Sequence, residues 1–494
     1  MTRHHPLVLG IDSSTQATKA ALVEADTGRV RATGRAPHEV TGTGGARESD
    51  PATWVRALCA AVGSALADLA AHGTDPAAVT AVAVAGQQHG LVALDEAGRP
   101  LRPALLWNDT RSAPQAASLL ADLGGEEAWR ARTGSAPVAA FTATKWRWLR
   151  ENDPDAAAAC TAVRLPHDFL TERLCGRAFT DPGEASGTGW YSTALGAYDD
   201  ELLALIGLDR ARLPRLAPTG ASRAGPLTTA AARALGGLTP GIPVAVGTGD
   251  NMAAALGLGL GRTGLLHHPV LSLGTSGTVF AATETRSTAR GVSGFASADG
   301  AYLPLACTLN CTLAIDRIAA LLGLHRDDAL PGGETVLLPY LDGERTPDVP
   351  GASGILSGLR HSTTPQQILG AAYEGASVSL LRALDSVLGA AGADPAAPDV
   401  ARLPIRLIGG GARGSAWVET VRRLSGRPVI VPASGEVVAR GAAALAVAAA
   451  TGADPVTVAL GWQDTGATEL PALDRDAAAW ERVGGFLDRA TPLL

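Results

Sequence analysis

The sequence predicts an α/β protein built from two related domains that face a common cleft. Three observations carry that expectation. One device, an apolar strand, a tight polar turn and a second apolar strand, occurs twice: LVLGIDSSTQATKAALV at 7–23 and VLSLGTSGTVFAA at 270–282, about half the chain apart. Each reads as a hairpin. Strand-like and helix-like runs then alternate along most of the chain, the pattern that covers sheets with helices. A third segment, PIRLIGGGARGSAWVETVRRLSG at 404–426, joins a buried strand to an amphipathic helix through a glycine turn.

Composition narrows the function classes. The chain has 494 residues, 46% hydrophobic and 18% charged, enough for two or three domains with ample core. A net charge of -7 argues against nucleic acid as the main partner, because a phosphate-tracking surface must be basic. No run of ~18 uninterrupted apolar residues suggests a membrane span, and the start, MTRHHPLVLGID, is not read as a leader. Five cysteines, an odd count, fit a reducing compartment, so a cytoplasmic location is expected. Only two lysines, Lys19 and Lys145, stand among 39 arginines. A surviving lysine hints at a place where a guanidinium fork does not fit.

Taken in order, the first turn, Asp12-Ser13-Ser14-Thr15-Gln16, offers backbone N–H groups, hydroxyls and a carboxylate, with Lys19 nearby. Successive N–H groups in a turn cradle anions, and a carboxylate beside them suits Mg²⁺. The plainer alternative is a hairpin with solvated hydroxyls. AVTAVAVAG at 78–86 reads as a strand and WVRALCAAVGSALADLAAHG at 54–73 as a helix. AVAGQQHG brings Gln87, Gln88 and His89 to the end of that strand. LLWNDTRS places Trp107, Asn108, Asp109 and Arg111 after another apolar run. Polar and aromatic groups at strand ends suit a polyhydroxyl ligand, although a lone histidine is more often structural.

Asp250 follows the strand IPVAVG and precedes the helix NMAAALGLG. Flanked by Gly247 and Gly249, it reads as a general base for a hydroxyl, or as a helix N-cap. GLGLGRTG at 257–264 reads as a hinge, with the domain boundary at 250–270, and TETRSTARGVSGFASADG at 283–300 as a loop. The second turn, Gly274-Thr275-Ser276-Gly277, repeats the anion cradle without the acid. Cys307 and Cys311 read as one face of a helix, core residues rather than zinc ligands; His4, His5, His267 and His268 also lack partners at metal spacing. TPQQILGAAYEGASVSLLRALDSVLGAAG at 364–392 reads as a long helix. Gly409-Gly410-Gly411-Ala412 permits close approach to a flat group such as adenine, or simply tight strand–helix packing.

Together these residues resemble the FGGY family of carbohydrate kinases over nearly the whole chain. LGIDSSTQATK and LSLGTSG are similar to its two phosphate segments, LIGGGARGSAW to its adenosine loop, and TATKWRWLREN and GILSGL…QILGAAYE to its two signatures. LPYLDGERTP is also similar. AGQQHG, LLWNDTR and TDPGEASGTGWYS, with Asp181 at its first acid and Glu184 nearest its second, resemble the branch acting on D-xylulose. The resemblance implies two ribonuclease H-like (actin-like ATPase) domains around a central cleft. Residues 1–255 would carry the sugar site, the first phosphate loop and the catalytic acid, and 256–494 the second phosphate loop and the adenosine loop. It implies that Asp250 takes the proton of the D-xylulose 5-hydroxyl and that Asp12 positions Mg²⁺. Gln88, His89, Trp107, Asn108, Asp109 and Asn251 would meet the sugar. ATP would meet Ser13, Ser14, Thr15, Lys19, Gly274, Thr275, Ser276, Gly409, Gly410, Gly411 and Ala412. The resemblance also implies a homodimer. Alternatives are a gluconate or L-ribulose kinase of the same family and, remotely, an actin-like ATPase without a sugar.

Overall fold

Both expected hairpins form. The computed structural model describes residues 5–433, 435–462 and 466–493, so His4 lies outside the described residues. In the first half β1 (Leu7–Ser13), β2 (Ala17–Glu24) and β3 (Val30–Pro37) run antiparallel in turn. On the other side of β1 lies β4 (Val79–Gly86), in parallel register. β5 (Arg223–Pro226), β6 (Pro243–Ala245) and a short β7 (Thr248–Gly249) complete a sheet whose main path is β5-β6-β4-β1-β2-β3, with β7 pairing β4. The second half repeats the plan. β8 (Val270–Leu273) and β9 (Gly277–Phe280) form the hairpin, and β11 (Tyr302–Thr308) lies antiparallel beside β9. β12 (Ile405–Ile408) and β13 (Val429–Val431) extend the sheet in parallel from β8. With β10 (Ser293–Ala296) and β14 (Thr468–Leu470) at the edges, the order is β10-β11-β9-β8-β12-β13-β14. Hairpin, third antiparallel strand and two parallel strands therefore recur in the same order, which is the duplicated ribonuclease H-like arrangement.

β1 is buried at every position because the sheet is covered on both faces. Leu7, Leu9 and Ile11 point into a core with α1 (Pro51–Ala71), whose Trp54, Leu58, Val62 and Leu66 recur at helical spacing. By length and composition α1 could cross a membrane, yet that stripe is packed into the sheet's core. Val8 points the other way, into a core shared by both halves. Two helices fill that core: α3 (Asp250–Gly257), and α7 (Val437–Thr451) from the second half. The remaining helices used below are α2 (Thr142–Asn152), α4 (Thr312–Leu322), α5 (Pro365–Ala390) and α6 (Ser415–Ser425).

The α3–α7 crossing depends on glycine. A Cβ on Gly441 would lie 1.8 Å from the Ala253 carbonyl oxygen, and one on Gly257 2.2 Å from that of Val437. A Cβ on Gly10 would lie 1.9 Å from the Ala439 carbonyl oxygen. Backbone meets backbone at all three points, so a methyl group cannot be absorbed by a rotamer change. Gly441→Ala is expected to cost about 3 kcal/mol by overpacking, read as a lowered denaturant midpoint; an unchanged midpoint would show that the crossing is loose.

Three sequence expectations change. The 257–264 glycines are packed: a Cβ on Gly259 would lie 2.5 Å from Leu460, and one on Gly264 2.5 Å from Val456. They serve a close approach rather than an open hinge. Residues 283–300 are not all loop, because β10 arises there, with Phe295 buried. Cys307 belongs to β11 and Cys311 precedes α4, so the two share no helix face.

Candidate active site

Asp12 and Asp250, nearly half the chain apart, line one cavity of about 210 Å³. The β1–β2 hairpin contributes Asp12, Ser14 and Lys19; the start of α3 contributes Asp250 and Asn251. Ser272 and Gly409 come from the second sheet, and Gly435, Glu436 and Val437 from the beginning of α7. Two helix N-termini, two strand ends and a tight turn thus converge. Such a place favours anions, because free N–H groups and the positive ends of helix dipoles point at it.

The two acids differ in their surroundings. Asp12 is 3% exposed; its Oδ1 accepts a hydrogen bond from Ser14 Oγ (2.6 Å), and Lys19 Nζ stands 3.8 Å from Oδ2. Burial raises its pKa, partly offset by Lys19. Lys19 also pairs with Glu436 at 3.3 Å, so the cation is shared between two acids from opposite halves. Asp250 is the first residue of α3, with Gly249 in the capping position, which removes the N-cap reading. Its Oδ1 accepts from the Asn251 backbone N–H (2.8 Å) and from Asn251 Nδ2 (3.0 Å). Burial first, then the charge of Asp12, pushes its carboxyl up to about 7. The flanking glycines make room. A Cβ on Gly247, at φ +86°, would lie 2.1 Å from the Val84 carbonyl oxygen; one on Gly249 would meet Gln88 and Glu184.

On the other side of Asp250 stand Gln87, Gln88 and His89 at the end of β4. Asn251 Nδ2 also donates to Gln88 Oε1 (3.0 Å), while the buried Gln88 Nε2 has no partner among the described residues. Neither does either polar atom of Gln87. His89 holds a left-handed backbone, φ +65°. Its Nδ1 lies 2.8 Å from the Gly187 carbonyl oxygen, which only accepts, so Nδ1 carries the proton and Nε2 is an acceptor. Burial, then Lys145, lower the His89 pKa to about 3, so the ring is neutral. It stacks on Phe141 and touches Phe295 of the second sheet.

The neighbouring strip departs from expectation. Asp109 is 1% exposed and its carboxylate is filled: it accepts from the Arg47 backbone N–H (2.8 Å) and from Arg111 Nε and Nη2. With all its capacity used, Asp109 anchors the loop and leaves the carbonyl of Asn108, whose Oδ1 has no partner among the described residues, as the polar group available there. Trp107 donates from Nε1 to Thr15 Oγ1 (3.0 Å), tying this strip to the first turn.

The three turns divide their labour. Ser14 reaches the cavity; Ser13 is buried in β1 with its Oγ 3.3 Å from Thr18 Oγ1, and so lies off the cavity. The Gly274 carbonyl takes the N–H and hydroxyl of Thr312, fixing the second turn to the start of α4, while Thr275 is exposed and Ser276 half-exposed. Gly409, at φ +86°, lines the cavity. Gly410 has open space beside it, and Gly411 packs on Leu273 and Thr312. Ala412 lines a separate groove of about 690 Å³ beside α6.

Three features take their form only in the fold. The start of α7 reaches the first-half turn from the second half; Gly435 before an alanine-rich run was its only signal. Lys145 is fully buried and gives Nζ to the carbonyl oxygens of Ala139 (3.0 Å) and Ala140. Burial lowers its pKa to about 7. Two convergent carbonyls suit a compact ammonium better than a planar fork. Behind Asp250 lies a buried acid cluster. Asp181 Oδ2 accepts from Thr248 Oγ1 (2.8 Å) and from the Gly183 N–H, and Oδ1 accepts from the Glu184 N–H. Burial, with the charges of Asp168, Asp181 and Asp250, drives the Glu184 carboxyl well above the usual range.

The model of the FGGY family of carbohydrate kinases, N-terminal domain, matches residues 7–257, and that of the C-terminal domain residues 270–450. A xylulose kinase from Streptomyces coelicolor is 55% identical, over 99% of this chain and 97% of the relative. The crystal structure of xylulose kinase from Bifidobacterium adolescentis superposes with TM-score 0.80 at 34% identity, covering 98% of this chain and 99% of that one. A gluconate kinase structure from Lactobacillus acidophilus has TM-score 0.85 at 19% identity, over 99% and 98% of the two chains. That last likeness concerns the fold alone.

Proposed function

Because this chain belongs to the FGGY family of carbohydrate kinases, we propose that it transfers the γ-phosphoryl group of ATP to the 5-hydroxyl of D-xylulose. One observation carries the chemistry: two acids, buried Asp12 and half-buried Asp250 with its carboxyl near 7, share a cavity with a cation and two helix N-termini. The choice of sugar follows the relative that is 55% identical over nearly the full chain.

Asp250 is the general base. Its Oδ1 is held by Asn251, which leaves Oδ2 to take the hydroxyl proton. The freed alkoxide oxygen forms the new bond to γ-phosphorus as the β,γ-bridging oxygen leaves with ADP. Phosphoryl transfer asks mainly for positioning and charge neutralisation. The turn around Ser14, the start of α7 and Gly409 supply N–H groups to the phosphates. Gln88 Nε2 and His89 Nε2 offer one donor and one acceptor to sugar hydroxyls. The first lobe thus takes the sugar and the second takes most of the nucleotide.

Mg²⁺ fits the donor set. Asp12 and Asp250 repel one another, and Lys19, already shared with Glu436, is the cation placed against Asp12. Hard oxygen ligands suit Mg²⁺, and Asp12 would hold it. When bound, the ion neutralises phosphate charge. A coupled assay with D-xylulose, L-ribulose and D-gluconate tests the reading: the expected result is the highest kcat/KM for D-xylulose, and preference for gluconate would overturn the sugar assignment.

A further inference from the structure

Lys145 is a buried charge that the transfer chemistry does not use. It is one of two lysines in a chain with 39 arginines, and none of it is exposed. Among the described residues no carboxylate pairs with it. Its ammonium donates instead to the carbonyl oxygens of Ala139 (3.0 Å) and Ala140, just before α2.

Those two carbonyls belong to a turn, 138–141, whose four carbonyls are all engaged. Val138 accepts from the Phe141 N–H (2.9 Å) and Phe141 from Thr144 Oγ1 (2.7 Å), while Ser112 Oγ joins Lys145 at the Ala139 oxygen (2.9 Å). Two adjacent carbonyls thus converge on one point. A compact ammonium fits there, whereas a planar guanidinium would overpack a fully enclosed site.

What the turn holds is His89. Phe141, 1% exposed, stacks on the imidazole with 5.4 Å between centroids, and Thr142 Oγ1 donates to the His89 carbonyl oxygen (3.2 Å). A non-glycine residue at φ +65° keeps that conformation only while its neighbours hold it. The third restraint is the bond from Nδ1 to the Gly187 carbonyl. Two of these three restraints on His89 come from the segment that Lys145 ties down. Phe141, Thr142 and Lys145 do not line the cavity shared by Asp12 and Asp250.

We propose that Lys145 is a positioning residue for the sugar: its ammonium locks the 138–141 turn so that Phe141 and Thr142 fix His89 with Nε2 presented to the substrate. This rests on the reading of His89 as a sugar contact above. Lys145 touches neither substrate and acts through His89, so its loss falls on the sugar and spares the nucleotide.

The test is a double-mutant cycle with steady-state kinetics on the parent, Lys145→Met, His89→Ala and the double variant. The sugar is whichever of D-xylulose, L-ribulose and D-gluconate the parent turns over best, so a parent that prefers gluconate sinks the D-xylulose reading and leaves this test standing. Lys145→Met should lower kcat/KM for the sugar by about 10–100-fold, roughly the worth of one charged hydrogen bond, while KM for MgATP changes less than about threefold. In the His89→Ala background the same substitution should cost less than about threefold more, because residues that act through one another are not additive. Lys145→Arg keeps the charge but not the compact shape, and should lower sugar kcat/KM by about fivefold or more; it takes the place of Lys145→Met in the cycle if that variant does not fold. Unchanged sugar kcat/KM in the lysine variant would overturn the proposal. So would an equal loss for MgATP, or the full loss repeated without His89, since either marks a merely structural role. Parental sugar kinetics in His89→Ala would remove the premise and the proposal with it.

Discussion

Alanine in place of Asp250 lowers phosphoryl transfer by about 10²–10⁴-fold, the range for a lost general base, while MgATP still binds. The base is expected to matter because its surroundings tune it. Burial and the Asp12 charge lift its carboxyl to about 7, near working pH, while Asn251 orients it. The base acts ionised, so kcat/KM for the sugar should rise with pH through about 7 and level off above. Stability runs the other way. A carboxyl raised in the folded state favours folding at low pH, and that contribution is lost as pH rises through about 7. Asp250→Asn should therefore be more stable than the parent at pH 8, on the order of 2 kcal/mol, with the gap closing towards pH 4. An inactive but stabilised variant is the mark of a strained functional acid. Near-parental turnover in Asp250→Ala, measured by coupled assay, would remove the base assignment.

Asp12→Asn should lower kcat/KM by about 10²–10³-fold, since a metal's charge stabilisation is worth several kcal/mol. It should also raise the Mg²⁺ concentration needed for half-maximal rate. A further readout separates this from a structural defect. Asp12 raises the Asp250 pKa through space, so removing its charge must lower it. The acid limb of the pH–rate profile should move below 7. An unshifted limb with unchanged Mg²⁺ dependence would mean that the two acids do not share a cleft as described.

The residues that act through the backbone were legible from sequence. Repeated turns, a glycine-flanked acid and a strand-end Gln-His pair announce themselves locally, because their chemistry needs bare backbone or a strand end. The conformations of Gly247 and Gly409 bear this out in φ. What stayed hidden depends on contacts between distant segments. Asp109 looked like a ligand-binding acid until Arg47 and Arg111 filled it. The cysteines at 307 and 311 looked helical by spacing, although β11 claims the first. The entry of α7 into the first half's core, and with it Glu436 beside Lys19, has Gly435 before an alanine-rich run as its single local signature. Lys145 is the intermediate case: its rarity marked it, but only the two carbonyls at Ala139 and Ala140 explain it.

The most direct measurement is a crystal structure with D-xylulose and a non-hydrolysable ATP analogue bound together. The sugar's 5-hydroxyl should lie within roughly 2.6–3.2 Å of the Asp250 carboxylate, in line with the γ-phosphorus, with Asp12 on the phosphate side. A 5-hydroxyl held by other residues, with Asp250 turned away from both ligands, would contradict the account.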